Sequence, residues 1–339
     1  MAITDLTRKI PWRGRRTIVV LVVLAALLLF IYRLKTQCPA CVNLDTLVWD
    51  SYEGQFGEGE SLWMSEVSLK HLGWNKMNYI RLTNESLTDF VMVTAASSNH
   101  FTESLDLIGS IHSHYPQYKL IYFDLGLTES QIKQLKTFCN VTYQQFPFQN
   151  YPRHVRNLEN YAWKALAIQE VLLSHSGVMW LDSSIRWRKS WLYIFQNVAI
   201  QNGGLALLIE THHSVYAAVH QQLYTYFPSN QEKLKEVPMF GAGALVLYRT
   251  KVMYTNIVQW WVACSLVSEC IAPTDQRFCN FKIDRWEEFA NCHRFDQSVV
   301  NVLAANHFHF MSKTYTPFGT NALKVQHHIS NEFTPKTCS

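Results

Sequence analysis

Apolar residues run unbroken from Thr17 to Tyr32, TIVVLVVLAALLLFIY. At 1.5 Å per residue that run reaches roughly 24 Å, enough for the thin bilayer of the early secretory pathway. From 36 to about 85 neither a helical nor a strand period can be read, so a stem or irregular collar is expected there. Regular patterning starts at Phe90. Residues 90–94 read as a short buried strand, and Phe101, Leu105 and Ile108 then share one helical face. A second strand, 119–124, ends in the carboxylate of Asp124. Thr128 and Gln131 form a capping box ahead of Ile132, Leu135 and Phe138. A third strand is expected over 141–144. A longer helix over 158–174 puts Leu158, Tyr161, Ala165, Ile168 and Leu172 on one face and stops before Gly177. The strand over 178–181 then delivers Asp182.

Strands alternating with helices of this size predict βαβ units and a mainly parallel sheet. The second half is less regular. It reads as strands at 205–209 and 244–248, a tryptophan-rich helix at 256–266 and a cysteine-rich loop. A helix capped by Asp296 follows, with Phe295 and Val300 placed as a hydrophobic staple. Residues 307–310 read as a short closing strand. No repeat and no low-complexity segment appears, so residues 86–339 are expected to form one domain with an elaborated C-terminal half.

Composition sharpens this picture. With 48% hydrophobic and 14% aromatic residues among 339, the chain can bury a sizeable core, which excludes global disorder. The net charge of +4 hides an asymmetry: residues 1–35 carry seven Lys/Arg against Asp5, or +6, leaving about −2 for the rest. That remainder has no surplus to neutralise phosphates along a duplex, so nucleic acid is not an expected partner. Five Lys/Arg precede the apolar run and two follow it, which puts residues 1–16 in the cytosol and makes 17–32 a signal anchor. A cleaved signal peptide is the alternative, but residues 33–41 offer no small-x-small cleavage site.

All eight cysteines lie outside the apolar run, at 38, 41, 139, 264, 270, 279, 292 and 338. An even count on the lumenal side predicts disulfides, and the clustered four are expected to pair as Cys264–Cys270 and Cys279–Cys292. Cys38-x-x-Cys41 reads as a stem disulfide rather than a redox or zinc motif. Sequons at Asn84 and Asn140 fit the same topology.

Three blocks carry candidate chemistry: Tyr161-Ala-Trp-Lys164 through Leu181-Asp-Ser-Ser184, Phe240-Gly-Ala-Gly-Ala-Leu-Val-Leu-Tyr-Arg249, and Cys292-His-Arg-Phe-Asp-Gln-Ser-Val-Val-Asn301. In their order and spacing, over roughly residues 85–315, the chain resembles type II membrane glycosyltransferases of the GT-A class. It is most similar to an uncharacterised metazoan family of single-pass proteins related to those enzymes. The resemblance implies a Rossmann-like α/β fold and a nucleotide-sugar donor. It also implies a glycan or glycoprotein hydroxyl as acceptor and residence in the Golgi or ER membrane. Asp182 and Ser184 would meet the donor diphosphate, with Lys164 near the phosphates and Ser97 and Ser98 near the nucleoside. Gly241, Gly243 and Glu210 would line the acceptor side, and Asp296 would act as general base.

The chain departs from the resemblance at one point: Ser184 stands where the second acid of the Asp-x-Asp signature is expected. A lone carboxylate and a hydroxyl hold Mn²⁺ or Mg²⁺ poorly. Either His307 or His309 completes the ligand set with Asp182, or a cation (Lys164, Arg186 or Arg188) replaces the metal, or catalysis is lost. Plainer readings compete throughout. Asp182 and Asp296 are good caps, Ser98 caps a helix, Glu210 is a solvated strand-end acid, and the two glycines suit a bulge. His307-x-His309 on one strand face, or His212-His213, suggests zinc without a full ligand set. Trp163, Trp180, Trp187, Trp260 and Trp261 are mostly core, with room for a sugar-stacking platform among them. Neither a Gly-x-Ser-x-Gly elbow nor a His-Glu-x-x-His helix is present, which argues against a secreted hydrolase. A second function fits the same fold: an inactive lumenal protein that binds glycan or a partner.

Overall fold

The computed structural model describes residues 41–44, 59–74, 76–83, 89–282, 284–317, 321–327 and 332–338. The expected cytosolic tail, the anchor at 17–32, Cys38 and the sequon at Asn84 lie outside those residues. Among the described residues, no helix is long and apolar enough to cross a membrane.

A short antiparallel pair, β1 (Cys41–Leu44) and β2 (Leu62–Ser65), leads into α1 (Glu66–His71). The folded body thus takes in part of the expected collar, and Leu62, Met64, Leu69 and Leu72 are buried in the core. Next come β3 (Phe90–Ala96), α2 (Phe101–His114), β4 (Leu120–Asp124), α3 (Glu129–Leu135) and β5 (Val141–Gln145). Helix α4 (Ala162–Leu172) then leads into β6 (Gly177–Leu181) and β7 (Ile185–Trp187), and α5 (Leu192–Gln201) follows. The second half supplies β8 (Leu205–Leu207), β9 (Glu210–Ser214), β10 (Pro238–Phe240) and β11 (Ala244–Tyr248). After these come α6 (Gln259–Ser265), α7 (Asp296–His307) and β12 (Leu323–Val325).

The central sheet runs β5-β4-β3-β6-β11-β8. Strands β5, β4, β3 and β6 are parallel, and β11 lies antiparallel to both β6 and β8. The mixed, mainly parallel sheet fits the expected GT-A class. Its central strands are buried on both faces, as helices on either side require. One face carries Val91, Val93, Val178 and Trp180 against α4, α6 and α7. The other carries Phe90, Met92, Met179 and Leu181 against α2 and α5. Each such side chain contributes about 1.5–3 kcal/mol by leaving water. Gly177 opens β6 because a Cβ there would lie 2.5 Å from the Tyr248 ring of β11.

The capping box at Thr128 and Gln131 is present, as are Cys264–Cys270 and Cys279–Cys292. A third disulfide, Cys139–Cys338, spans 199 residues. Several expectations need correction. The helix expected from 158 begins at Ala162 after a 3₁₀ turn, because Tyr161 has φ 54° and breaks the helical run. The strand expected over 205–209 stops at Leu207, and the helix expected from 256 is preceded by a π turn, Tyr254–Val258. Residues 307–310 form no strand. Helix α7 continues to His307, and His309 and Phe310 then turn the chain with φ 50° and 64°. The two histidines therefore do not share a strand face, which removes the geometry of the suggested zinc site.

Candidate active site

Strand β6 lies inside the sheet and ends on the side of the parallel strands' carboxyl ends, where parallel α/β folds place ligands. Asp182 follows it directly. Its backbone N–H donates to Gly243 O at 2.8 Å, which ties it to the turn before β11. The carboxylate does not cap that turn. Oδ1 accepts from Trp180 Nε1 at 2.7 Å, and the side chain keeps 30% of its surface exposed. Gly243 permits this placement: a Cβ there would sit 3.0 Å from Asp182 Oδ2.

Two helices bring the other charges. Lys164 lies one turn into α4, and Asp296 is the first residue of α7. Each helix is preceded by an aromatic residue at positive φ, Tyr161 (54°) and Phe295 (48°), and their rings lie 6.3 Å apart. Such backbone costs about 1–3 kcal/mol per residue and gathers at functional sites. Phe295, not Asp296, is the N-cap, and it makes no side-chain cap bond. The carboxylate of Asp296 is thereby released from capping. Helix α7 is fixed by Asn301, which brackets Phe240 with bonds of 2.9 and 2.7 Å to its N–H and carbonyl. That bracket also sets the Gly241-Ala242-Gly243 turn.

The Lys164 ammonium has three N–H bonds to give. Its hydrogen bonds go to Ala242 O at 3.2 Å and Asp182 Oδ2 at 3.4 Å, and it forms ion pairs with Asp296 Oδ2 at 2.6 Å and Asp182 Oδ1 at 3.1 Å. Lys164 and Asp296 are only 2% and 4% exposed. Burial alone would push the ammonium down, but the two carboxylates outweigh it and hold its pKa well above the usual lysine value. Burial pushes the Asp296 carboxyl up, against the pull of Lys164 and with a further push from Asp182. The three groups form an acid–ammonium–acid bridge, buried at Lys164 and Asp296 and open to solvent at Asp182.

This bridge floors a cleft of about 440 Å³ lined by Tyr161, Lys164, Asp182, Ser184, Gly241 and Gly243, among others. Asp296, Thr211, Arg277, Phe278, Arg294 and His327 complete its main walls. A second cleft of about 280 Å³ adjoins it, reaching Ser97, Asn99 and Glu103 beyond the end of β3. Tyr161, Asp182, Ser184, Arg277 and His327 line both clefts. Beneath the Asp182-Ser183-Ser184 turn, Arg186 is fully buried. It donates to Ser183 O at 2.6 Å, Ile185 O at 2.8 Å and Glu103 O at 2.8 Å. Glu103 receives Ser183 Oγ and His100 Nδ1, each at 2.9 Å, and faces His327 at 3.4 Å.

Asp182, Ser184, Lys164, Asp296, Gly241 and Gly243 are thus brought together, and Ser97 opens onto the adjoining cleft. Ser98 is absent from both linings and opens the 3₁₀ turn Ser98–His100 instead. Glu210 points away. Its neighbours Ile209 and Thr211 line the cleft, and strand alternation turns Glu210 to solvent beside His212. His309 lines neither cleft, so it does not complete a ligand set with Asp182. Of the tryptophans, Trp180, Trp187 and Trp261 are core, while Trp163 touches the smaller cleft. Asn140 of the second sequon is exposed at the start of β5, its amide donating to Pro116 O at 2.7 Å.

Glu103, Arg277, Arg294 and His327 were not singled out by sequence reasoning. Arg277 and Arg294 each flank a cysteine of one expected disulfide by two positions, a signal that was available. His327 arrives through the β12–β7 pairing, which no local pattern announces.

The residues do not suit a divalent ion. Asp182 Oδ1 already accepts from Trp180 and Oδ2 from Lys164, Ser184 offers only a hydroxyl, and Asp296 is paired with Lys164. Among the described residues no group of three or more His, Cys, Asp or Glu side chains is arranged to hold a metal.

A family model described as a protein of unknown function (DUF1647) matches residues 64–169. No curated protein matches the chain. Among solved structures, the chain is similar to galactosyltransferase LgtC in complex with donor and acceptor sugar analogs, with 13% identity and TM-score 0.41. That match covers 70% of this chain and 87% of the other. It is also similar to core-mannan synthase A from Aspergillus fumigatus in its Mn/GDP form, with 9% identity, TM-score 0.35, and 52% and 63% covered. The glycosyltransferase GlyE of Streptococcus pneumoniae matches with 16% identity, TM-score 0.34, and 63% and 42% covered.

Proposed function

We propose that this protein is a glycosyltransferase of the secretory pathway, moving a sugar from a nucleotide donor to a hydroxyl of a glycan or glycoprotein. One observation carries the reading: a strand-end acid, Asp182, and a helix-leading acid, Asp296, open into one cleft and are coupled through Lys164. In such a transfer the bond from the anomeric carbon to the diphosphate oxygen breaks and its electron pair leaves with the diphosphate. A bond to the acceptor oxygen forms as that hydroxyl gives up its proton, with Asp296 as the accepting base. Lys164 opposes the upward push of burial on the Asp296 carboxyl and fixes its direction. Three disulfides among the described residues support an oxidising compartment, and with the basic-flanked apolar run they support a Golgi or ER type II topology.

The test is turnover of a panel of UDP- and GDP-sugars by the full-length protein. Transfer or hydrolysis of at least one donor is expected, and Asp182→Asn or Asp296→Asn should each lower it by about a hundredfold or more. Silence on every donor, with no nucleotide-induced thermal shift, would sink the reading. A second reading, an inactive glycan- or protein-binding scaffold, is favoured by Ser184 in place of the second acid. It would leave partner binding unchanged in Asp182→Asn.

A further inference from the structure

Two arginines overhang the clefts from a single cross-linked loop. The Cys279–Cys292 disulfide closes the loop, and Arg277 and Arg294 each stand two residues outside it. Two contacts hold these two segments together, and a third ties Arg294 to the helix that follows it. His293 N–H donates to Gln276 O at 2.7 Å, Arg294 Nη1 to Arg277 O at 3.4 Å, and Arg294 N–H to Ser298 Oγ at 2.9 Å. Ser298 Oγ in turn donates to Ala218 O at 2.8 Å, which anchors the pair to the body. Arg277 lines both clefts and Arg294 lines the larger. The partner of Arg277 is the exposed Glu159, at 2.8 Å, a contact that solvent makes cheap to exchange. No carboxylate pairs with Arg294 among the described residues.

The other cation of the cleft is already committed. Lys164 is buried and held by ion pairs to Asp296 and Asp182 and by hydrogen bonds to Asp182 and Ala242 O, so it is engaged within the protein itself. The cleft floor sets two carboxyl groups against one ammonium and so offers an anion no uncommitted cation. Among the described residues that line the cleft, the other arginine and lysine cations are Arg277 and Arg294, and a guanidinium fork matches phosphate oxygens in a bidentate way.

We propose that Arg277 and Arg294 form the diphosphate clamp of this site, pre-organised by the Cys279–Cys292 disulfide and working without a divalent cation. This rests on the glycosyltransferase reading and names how its donor is held. The clamp takes the charge that develops on the diphosphate oxygen as its bond to the sugar breaks, the task a metal ion performs elsewhere.

The experiment is titration of the full-length protein with UDP, GDP and inorganic pyrophosphate, in EDTA and again with Mn²⁺. Pyrophosphate and at least one nucleotide are expected to bind in EDTA with an affinity that Mn²⁺ leaves within about twofold. Arg277→Gln and Arg294→Gln should each weaken binding by about tenfold or more, as loss of a charge-assisted bond predicts. Arg156→Gln, an exposed arginine outside both clefts, should bind as wild type, and thermal unfolding checks that all three variants fold. Nucleotide binding that appears only with Mn²⁺ overturns the clamp and leaves the glycosyltransferase reading standing. The clamp is also overturned if both arginine variants bind as wild type. Absence of nucleotide and pyrophosphate binding in either buffer overturns the clamp together with the reading beneath it.

Discussion

Residues 90–187 deliver Asp182 through parallel strands β3, β4, β5 and β6, each hydrogen-bonded to a neighbour of similar length. Residues 205–317 deliver Asp296 and both arginines by other means. Their strands are three to five residues long, and two disulfides, the Asn301 bracket and the Ser298 relay hold them in place. The first region positions chemistry by regular secondary structure, the second by cross-links and individual side chains. Lys164 is where they meet, a residue of the first region whose ammonium is shared with an acid of the second.

That junction gives the largest expected effect. Lys164→Met leaves Asp296 buried beside Asp182 with no counter-charge, and urea unfolding at neutral pH should show a loss of about 3–5 kcal/mol. Adding Asp296→Asn to Lys164→Met should recover much of it, because the orphaned charge is gone. If Lys164→Met unfolds like the wild type, the two regions are not coupled through this bridge.

Acid should separate the regions next. His293 lies in the second region, fully buried, with Nδ1 accepting from His220 N–H at 3.2 Å. Burial first, then the nearby His220, push its pKa down to about 3. A histidine depressed in the fold contributes stability that is fully present above its unfolded value near 6.5. It is lost as pH falls from there toward 3, by about 1.4 kcal/mol per unit. Between pH 6.5 and 5 the cost is therefore roughly 2 kcal/mol. Amide exchange should show the disulfide loop opening before β3–β6 does, and His293→Gln should flatten the slope. Uniform loss of protection across both regions would contradict the contrast.

The smallest stability effect belongs to the second region's turn, where it meets Asp182 of the first. Gly243→Ala presses a methyl against Asp182 Oδ2, and the carboxylate can swing into the cleft, so a loss below about 1.5 kcal/mol is expected. Donor turnover should fall much further than stability, because misplacing a reacting group by a fraction of an ångström is costly. Equal losses in both would mean that the glycine serves packing alone.

The regular region was largely readable. Short apolar runs and the 3.6-residue helical period located β3, β4, β6 and α4, and with them Asp182 and Lys164. What local pattern could not convey was partnership. Lys164 was expected at phosphates, yet its contacts with Asp296 and Ala242 join residues far apart in sequence. The short disulfides were legible because four cysteines cluster, whereas Cys139 and Cys338 gave no sign of each other across 199 residues. Residues 307–310 misled because alternating His and Phe mimic a strand, while the chain there turns through two positive φ values. Asp296 looked like a cap because Asp favours helix starts, and only the unusual backbone of Phe295 freed it.

The Cys139–Cys338 disulfide has its own consequence. It pins the tail beside α2, where Lys336 N–H donates to His112 Nδ1 at 2.9 Å and a Cβ on Gly109 would strike the backbone of Phe333 at 2.7 Å. The same tail carries β12 and, past it, His327, a wall of both clefts. Completion of the clefts is therefore tied to oxidation: a reducing agent that opened this one bond would unlatch the enclosure while the sheet, which contains no cysteine, stayed folded.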